Sequence, residues 1–188
     1  MIRSFIALEL PPDLKSRMEE LQRALRRTDA DVKWVRPEGV HLTLKFLGYI
    51  RPEDVERVSL AVGPVVSAWE PFQVRLKGMG GFPSSRSPRV VWVGVDLGKE
   101  QVQSLQEAVE KKTAELSFPS EKRAFSPHLT LGRVRSPRGR ADLARALEEQ
   151  KESEVGTFRA SEVFLFRSEL KPTGAVYTKL RSFEMKRG

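Results

Sequence analysis

The sequence predicts an α+β fold of mostly antiparallel β-sheets arranged in two similar lobes, and three observations carry that prediction. Strand-like and helix-like segments are mixed along the chain with hairpin connections dominant, which disfavours a doubly wound parallel sheet. The tetrapeptide HLTL occurs twice, at 41–44 and at 128–131, each time inside a strand-like run. At 188 residues the chain can bury a sizeable core. No linker or low-complexity stretch divides it, so 1–188 reads as a single two-lobed domain.

The elements follow in order. SFIALEL (4–10) alternates apolar residues with others as a strand does, and Pro11–Pro12 end it. Asp13 is placed to cap a helix running to about Arg27, with Leu14, Met18, Leu21 and Leu25 on one face. VKWV (32–35) and HLTLKFLGYI (41–50) are strands flanking a Pro-Glu-Gly turn. Pro52 opens a second helix with Val55, Val58, Val62 and Val65 along its apolar stripe. FQVRLKGM (72–79) and RVVWVGVDL (89–97) are strands joined by a Gly/Pro/Ser loop, and 99–116 is an amphipathic helix with Val102, Leu105, Val109 and Leu116. The second HLTL strand spans 128–135, and a helix covers about 140–150. EVFLFRSEL (162–170) and AVYTKLRSFEM (175–185) form a closing hairpin across the turn KPTG.

Composition narrows the chemistry. The chain has no cysteine and two histidines, which removes disulfides, thiol catalysis, Cys-based zinc and three-histidine metal sites. Neither histidine lies in an HExxH context, and the glycines of KGMGGFP lack the following helix that a phosphate-cradling turn needs. Cofactor-free catalysis or simple binding remains. No run of about 18 apolar residues is present, and the N-terminal apolar stretch is too short and charged for a secretory signal, so a cytoplasmic protein without membrane contact is expected. The net charge of +8 favours anionic partners such as RNA or DNA.

The two HLTL copies hold both histidines, His41 and His128. Side chains alternate across a strand, so His41 shares a face with Thr43, and His128 with Thr130. Leu42, Leu44 and Phe46, like Leu129 and Leu131, are then expected to point into a core. If the two strands face each other, the site holds two imidazoles and two hydroxyls. One ring can accept a proton while the other donates one, and hydroxyls can hold the oxygens of an anion, which suits displacement at phosphorus. Arg133 falls on the core side by strict alternation. Either Gly132 marks a bulge or strand end that re-aims it toward phosphate, or it pairs with an acidic residue. Lys45 falls on the His41 face and is expected to be solvated at the rim.

These residues resemble the two-histidine phosphoesterase superfamily, and within it the LigT-like RNA 2′,3′-cyclic phosphodiesterases. RSFIALELP looks like the opening strand of that family, KWVRPEGVHLTLKFLG like its first catalytic segment, RVVWVGV like an intervening strand, and FSPHLTLGRV like its second catalytic segment. The resemblance implies a bilobal fold with helices outside and a catalytic cleft between the lobes. It implies hydrolysis of a 2′,3′-cyclic phosphate to a 2′-phosphate without metal or other cofactor. His41 is then the acid for the departing 3′ oxygen and His128 the base for water, with Thr43, Thr130 and Arg133 on the phosphate. The implied partner is RNA, as tRNA halves or oligonucleotides with cyclic ends, and the default state is a monomer. Other readings are a 2′–5′ RNA ligase running the chemistry backwards, an esterase for a small cyclic phosphate, a non-catalytic RNA- or nucleotide-binding module, and purely structural H-x-T pairs.

Overall fold

A computed structural model describes residues 1–172 and 174–186. The chain runs β1 (Ile2–Glu9), α1 (Pro12–Arg26), β2 (Val32–Trp34), β3 (His41–Ile50), α2 (Pro52–Ser67), β4 (Phe72–Phe82), β5 (Val90–Val95), α3 (Lys99–Glu115), β6 (His128–Val134), α4 (Arg140–Glu149), β7 (Glu154–Ala160), β8 (Glu162–Lys171) and β9 (Gly174–Glu184). Two sheets result, with strand orders β3-β1-β8-β9 and β2-β6-β5-β4-β7. Every pairing is antiparallel. The α+β class, the two sheets and the placement of one HLTL strand in each agree with the sequence reading. The closing hairpin forms as expected, although Thr173 of its KPTG turn lies outside the described residues.

The covering helices are exchanged between the sheets. Helix α3 lies in sequence between β5 and β6 of the second sheet, yet packs against α2 and β3 of the first. Helix α1 follows β1 of the first sheet and packs against β7 of the second, where α4 packs on β4. Apolar faces decide these positions. Leu14, Met18 and Leu25 of α1 are buried together with Gln22, while Leu21 is only half-buried. In α2 the buried stripe is Val55, Val58, Val62 and Val66, so Val66 replaces the expected Val65. Asp13 sits in the first turn of α1 and makes no capping bond, since Pro11 holds the cap position and Pro12 the first helical one. There its charge favours the N-terminal end of the helix dipole.

One strand goes beyond the sequence reading. β7 pairs with β4 along its whole length, but its register slips between Leu76 and Lys77, where Gly156 and Glu154 stand opposite. That irregularity breaks the period of two, leaving Val155 and Phe158 buried three residues apart.

Candidate active site

The outer faces of both sheets merge with the helices into one continuous core. A separate apolar cluster of Phe5, Ala7, Phe164 and Phe166, with Tyr177 against it, lines the inner face of the first sheet. Strand β3 approaches β6, so the inner faces of the two sheets meet along the two HLTL strands. Leu42, Leu44, Leu129 and Leu131 are all buried, whereas His41, Thr43, His128 and Thr130 are half-buried on the inner faces.

Both strands break alternation at the second leucine of HLTL. Against β1, Thr43 pairs with Ala7 and Lys45 with Ile6, leaving Leu44 as an extra residue. Against β5, Thr130 pairs with Trp92 and Gly132 with Val91, leaving Leu131 as the extra residue. A bulge of this kind shifts the phase by one. Lys45 and Gly132 therefore turn to the core side, while Phe46 and Arg133, each five residues after its histidine, return to the inner face.

Two sequence expectations are corrected by the first bulge. Phe46 is 61% exposed on the inner face, 6.1 Å from the Phe5 ring, rather than in the core. Lys45 is buried rather than solvated, and its Nζ donates to Glu110 Oε1 at 2.7 Å and to the Pro119 carbonyl at 2.6 Å. The second bulge turns Arg133 away from the core side. It is exposed, has no place in the core, and its charge acts on both His128 and Tyr177. Gly132 is not itself the extra residue. It faces β2 at such close range that a Cβ would come within 2.5 Å of Val32 Cγ1. The Leu131 carbonyl is held by the Val35 backbone N–H at 2.8 Å and by Gln22 Nε2 at 2.9 Å.

The histidine environments are alike in plan. The His128 Nδ1–H donates to the Ser126 carbonyl at 2.7 Å, because a carbonyl can only accept, and this leaves Nε2 with a free lone pair. His41 likewise bonds the Gly39 carbonyl, two residues back along the chain. Its ring stacks on Phe5 at 4.4 Å and meets Tyr177 edge-on at 5.1 Å, while His128 meets Phe82 edge-on at 4.9 Å. Burial pushes the His41 imidazole down to about 4, against the raising effect of the Gly39 bond. His128 is also lowered, by burial first and by the Arg133 charge, with the Ser126 bond opposing. Both rings are therefore neutral near pH 7 in the free protein. Tyr177 links the lobes, since it packs on His41 in the first and feels the charge of Arg133 from the second.

Sequence reasoning missed Phe5, Phe46, Tyr177 and Gln22. The signal for Phe46 was available in the equal spacing of Phe46 and Arg133 behind their histidines, once both strands are allowed the same bulge. Among the described residues, no group of three His, Cys, Asp or Glu side chains could hold a metal ion, and no helix is long and apolar enough to cross a membrane.

Two antiparallel sheets, each presenting an H-x-T strand to a shared interior, define the two-histidine phosphoesterase class. The chain belongs to the 2′-5′ RNA ligase superfamily, whose family model matches residues 10–172. It is 39% identical to the RNA 2′,3′-cyclic phosphodiesterase of Methanothermobacter thermautotrophicus, covering 98% of this chain and 99% of that protein. It is 34% identical to the protein of the same name from Aeropyrum pernix, over 87% of this chain and 92% of the relative. Among solved structures, the TT0787 protein of Thermus thermophilus superposes with a TM-score of 0.78 at 32% identity, covering 97% of each chain. Apo LigT of E. coli superposes with a TM-score of 0.79 over 99% of this chain and 98% of LigT, at 23% identity. That last likeness bears on the fold alone.

Proposed function

We propose that this chain, acting as one two-lobed domain, hydrolyses the 2′,3′-cyclic phosphate end of RNA to a 2′-phosphate. The observation that carries this reading is the fixed tautomer of His128, which leaves the Nε2 lone pair free on a ring that shares its strand face with Thr130 and feels the Arg133 charge. The naming of the full-length relatives as RNA 2′,3′-cyclic phosphodiesterases supports the same substrate.

In this reading His128 Nε2 takes a proton from water as the water oxygen bonds to phosphorus. The bond from phosphorus to the 3′ oxygen breaks, and His41 supplies that oxygen with a proton. One proton enters at His128 and one leaves from His41, so the pair is reset by a single transfer through solvent. Thr43, Thr130 and Arg133 donate to the non-bridging oxygens, where negative charge builds up. His41 must first gain its proton, and the negative charge of the bound phosphodiester favours this by opposing the effect of burial. Phe46, exposed on the inner face, offers its ring to the terminal base.

The test is a cyclic-phosphate-ended RNA incubated in excess chelator with product regiochemistry resolved. Release of the 2′-phosphate is expected. Product carrying only a 3′-phosphate, or activity that survives replacement of both histidines by Ala, overturns the reading. The family description favours a second reading, a 2′–5′ ligase in which an RNA 5′-hydroxyl attacks in place of water. Supplying a 5′-hydroxyl RNA in the same assay and measuring joined product separates the two.

A further inference from the structure

The inner face of the first sheet does not end at Phe46. In β3 a second extra residue, Leu47, separates Phe46, which pairs with Phe5, from Gly48, which pairs with Ser4. Gly48 takes the left-handed φ of 73° that this second bulge needs. The phase shift brings Tyr49 onto the inner face opposite Arg3, while Ile50 turns back into the core. Moving away from His41, the face thus carries Thr43, Phe46 and Tyr49 along β3, and Ala7, Phe5 and Arg3 along β1.

We propose that Tyr49 and Arg3 form a binding subsite for the nucleotide preceding the terminal one, so that the substrate is an RNA strand rather than a cyclic mononucleotide. The inference rests on the cyclic phosphodiesterase reading above. Three observations support it. Phe46 and Tyr49 are 61% and 65% exposed, so each ring has an open face, and two open aromatic faces in a row form a stacking track for successive bases. Their partners Phe5 and Arg3 are two residues apart on an unbulged strand, about 6.8 Å. An unstacked single strand advances by a similar step per nucleotide. Arg3 is exposed directly beside Tyr49 and supplies the cation for the internucleotide phosphate. Arg3 also acts electrostatically on Tyr177, which packs against His41, so the subsite is continuous with the candidate active site.

The experiment compares kcat/KM for adenosine 2′,3′-cyclic phosphate with that for a diadenosine ending in the same cyclic phosphate. The intact protein is expected to prefer the dinucleotide by about tenfold, mainly through KM, as one stacked base and one phosphate contact supply. Tyr49→Ala and Tyr49→Leu should lower the dinucleotide value toward that of the mononucleotide, leaving only the Arg3 share of the preference, whereas Tyr49→Phe, which keeps the ring, should retain it. Arg3→Gln should narrow the preference by raising the dinucleotide KM. Hydrolysis of both substrates at equal kcat/KM overturns the subsite and leaves the phosphodiesterase reading standing. An equal loss on both substrates in Tyr49→Ala also overturns the subsite, because it marks a structural role. Failure to hydrolyse either substrate overturns both.

Discussion

His41 and His128 share a sequence word, a carbonyl partner two residues back and a burial-lowered basicity, yet the proposed reaction asks them to act in opposite senses. The burial has a measurable consequence. With His128 as the proposed base and His41 as the proposed acid, turnover needs His128 neutral and His41 protonated, and kcat/KM reports both groups in the free protein. With His41 near 4 and His128 below its ordinary 6.5, the maximum of kcat/KM is expected on the acid side of pH 6.5. Bound phosphodiester favours the protonated His41, so the maximum of kcat should lie at higher pH than that of kcat/KM; coincident maxima contradict this. His128→Ala should lower kcat by about 10³-fold, in the range of general base removal. Arg133→Ala should lower kcat by about 10²-fold with less effect on KM, as expected for a donor to developing charge. Steady-state kinetics on a cyclic-ended dinucleotide checks both variants. The histidines and threonines were legible because a period of two needs only the sequence. Phe46 and Lys45 were not, because one inserted residue exchanges their faces.

At the scale of the element, the bulges aim the site and other elements hold them. On β6, the Leu131 carbonyl and the neighbouring Val35 carbonyl both accept from Gln22 of α1. Replacing Gln22 with Leu leaves the Val35 carbonyl without that donor and should cost about 1–2 kcal/mol in chemical denaturation. The same change should lower kcat more than it raises KM, because Arg133 lies two residues beyond the held carbonyl. On β3, the turned-in Lys45 is pinned by Glu110 of α3, which also accepts from Gln106 and from the Glu121 backbone N–H. Lys45→Ala should destabilise the fold by about 3 kcal/mol, since it leaves a largely buried carboxylate without its cation. The double change Lys45→Met with Glu110→Leu should be less destabilising than Lys45→Ala, which denaturant midpoints will show. β7 escaped the sequence reading for the same reason as Phe46: a register slip at Gly156 removed the alternation that identifies a strand.

At the scale of the whole molecule, the helix exchange ties the two sheets into one core. Thermal unfolding is therefore expected as a single cooperative transition, and two resolved transitions in calorimetry would contradict it. The net charge of +8 should make RNA binding sensitive to salt. With two phosphates contacted, KM for a cyclic-ended oligonucleotide should rise by about sevenfold between about 50 and 200 mM salt, from the single-strand slope of about 0.7 per phosphate. By itself the sequence determined the α+β class, the strand character of both HLTL segments and the face shared by each histidine with its threonine. Those features are local, set by periodicity and turn chemistry within a few residues. Only the tertiary structure decided where Arg133, Phe46, Lys45 and Tyr49 point, which helix covers which sheet, and how far the histidine rings are desolvated. A bulge exists only relative to the strand it pairs with, and desolvation depends on neighbours distant in the chain, so neither can be read from one segment alone.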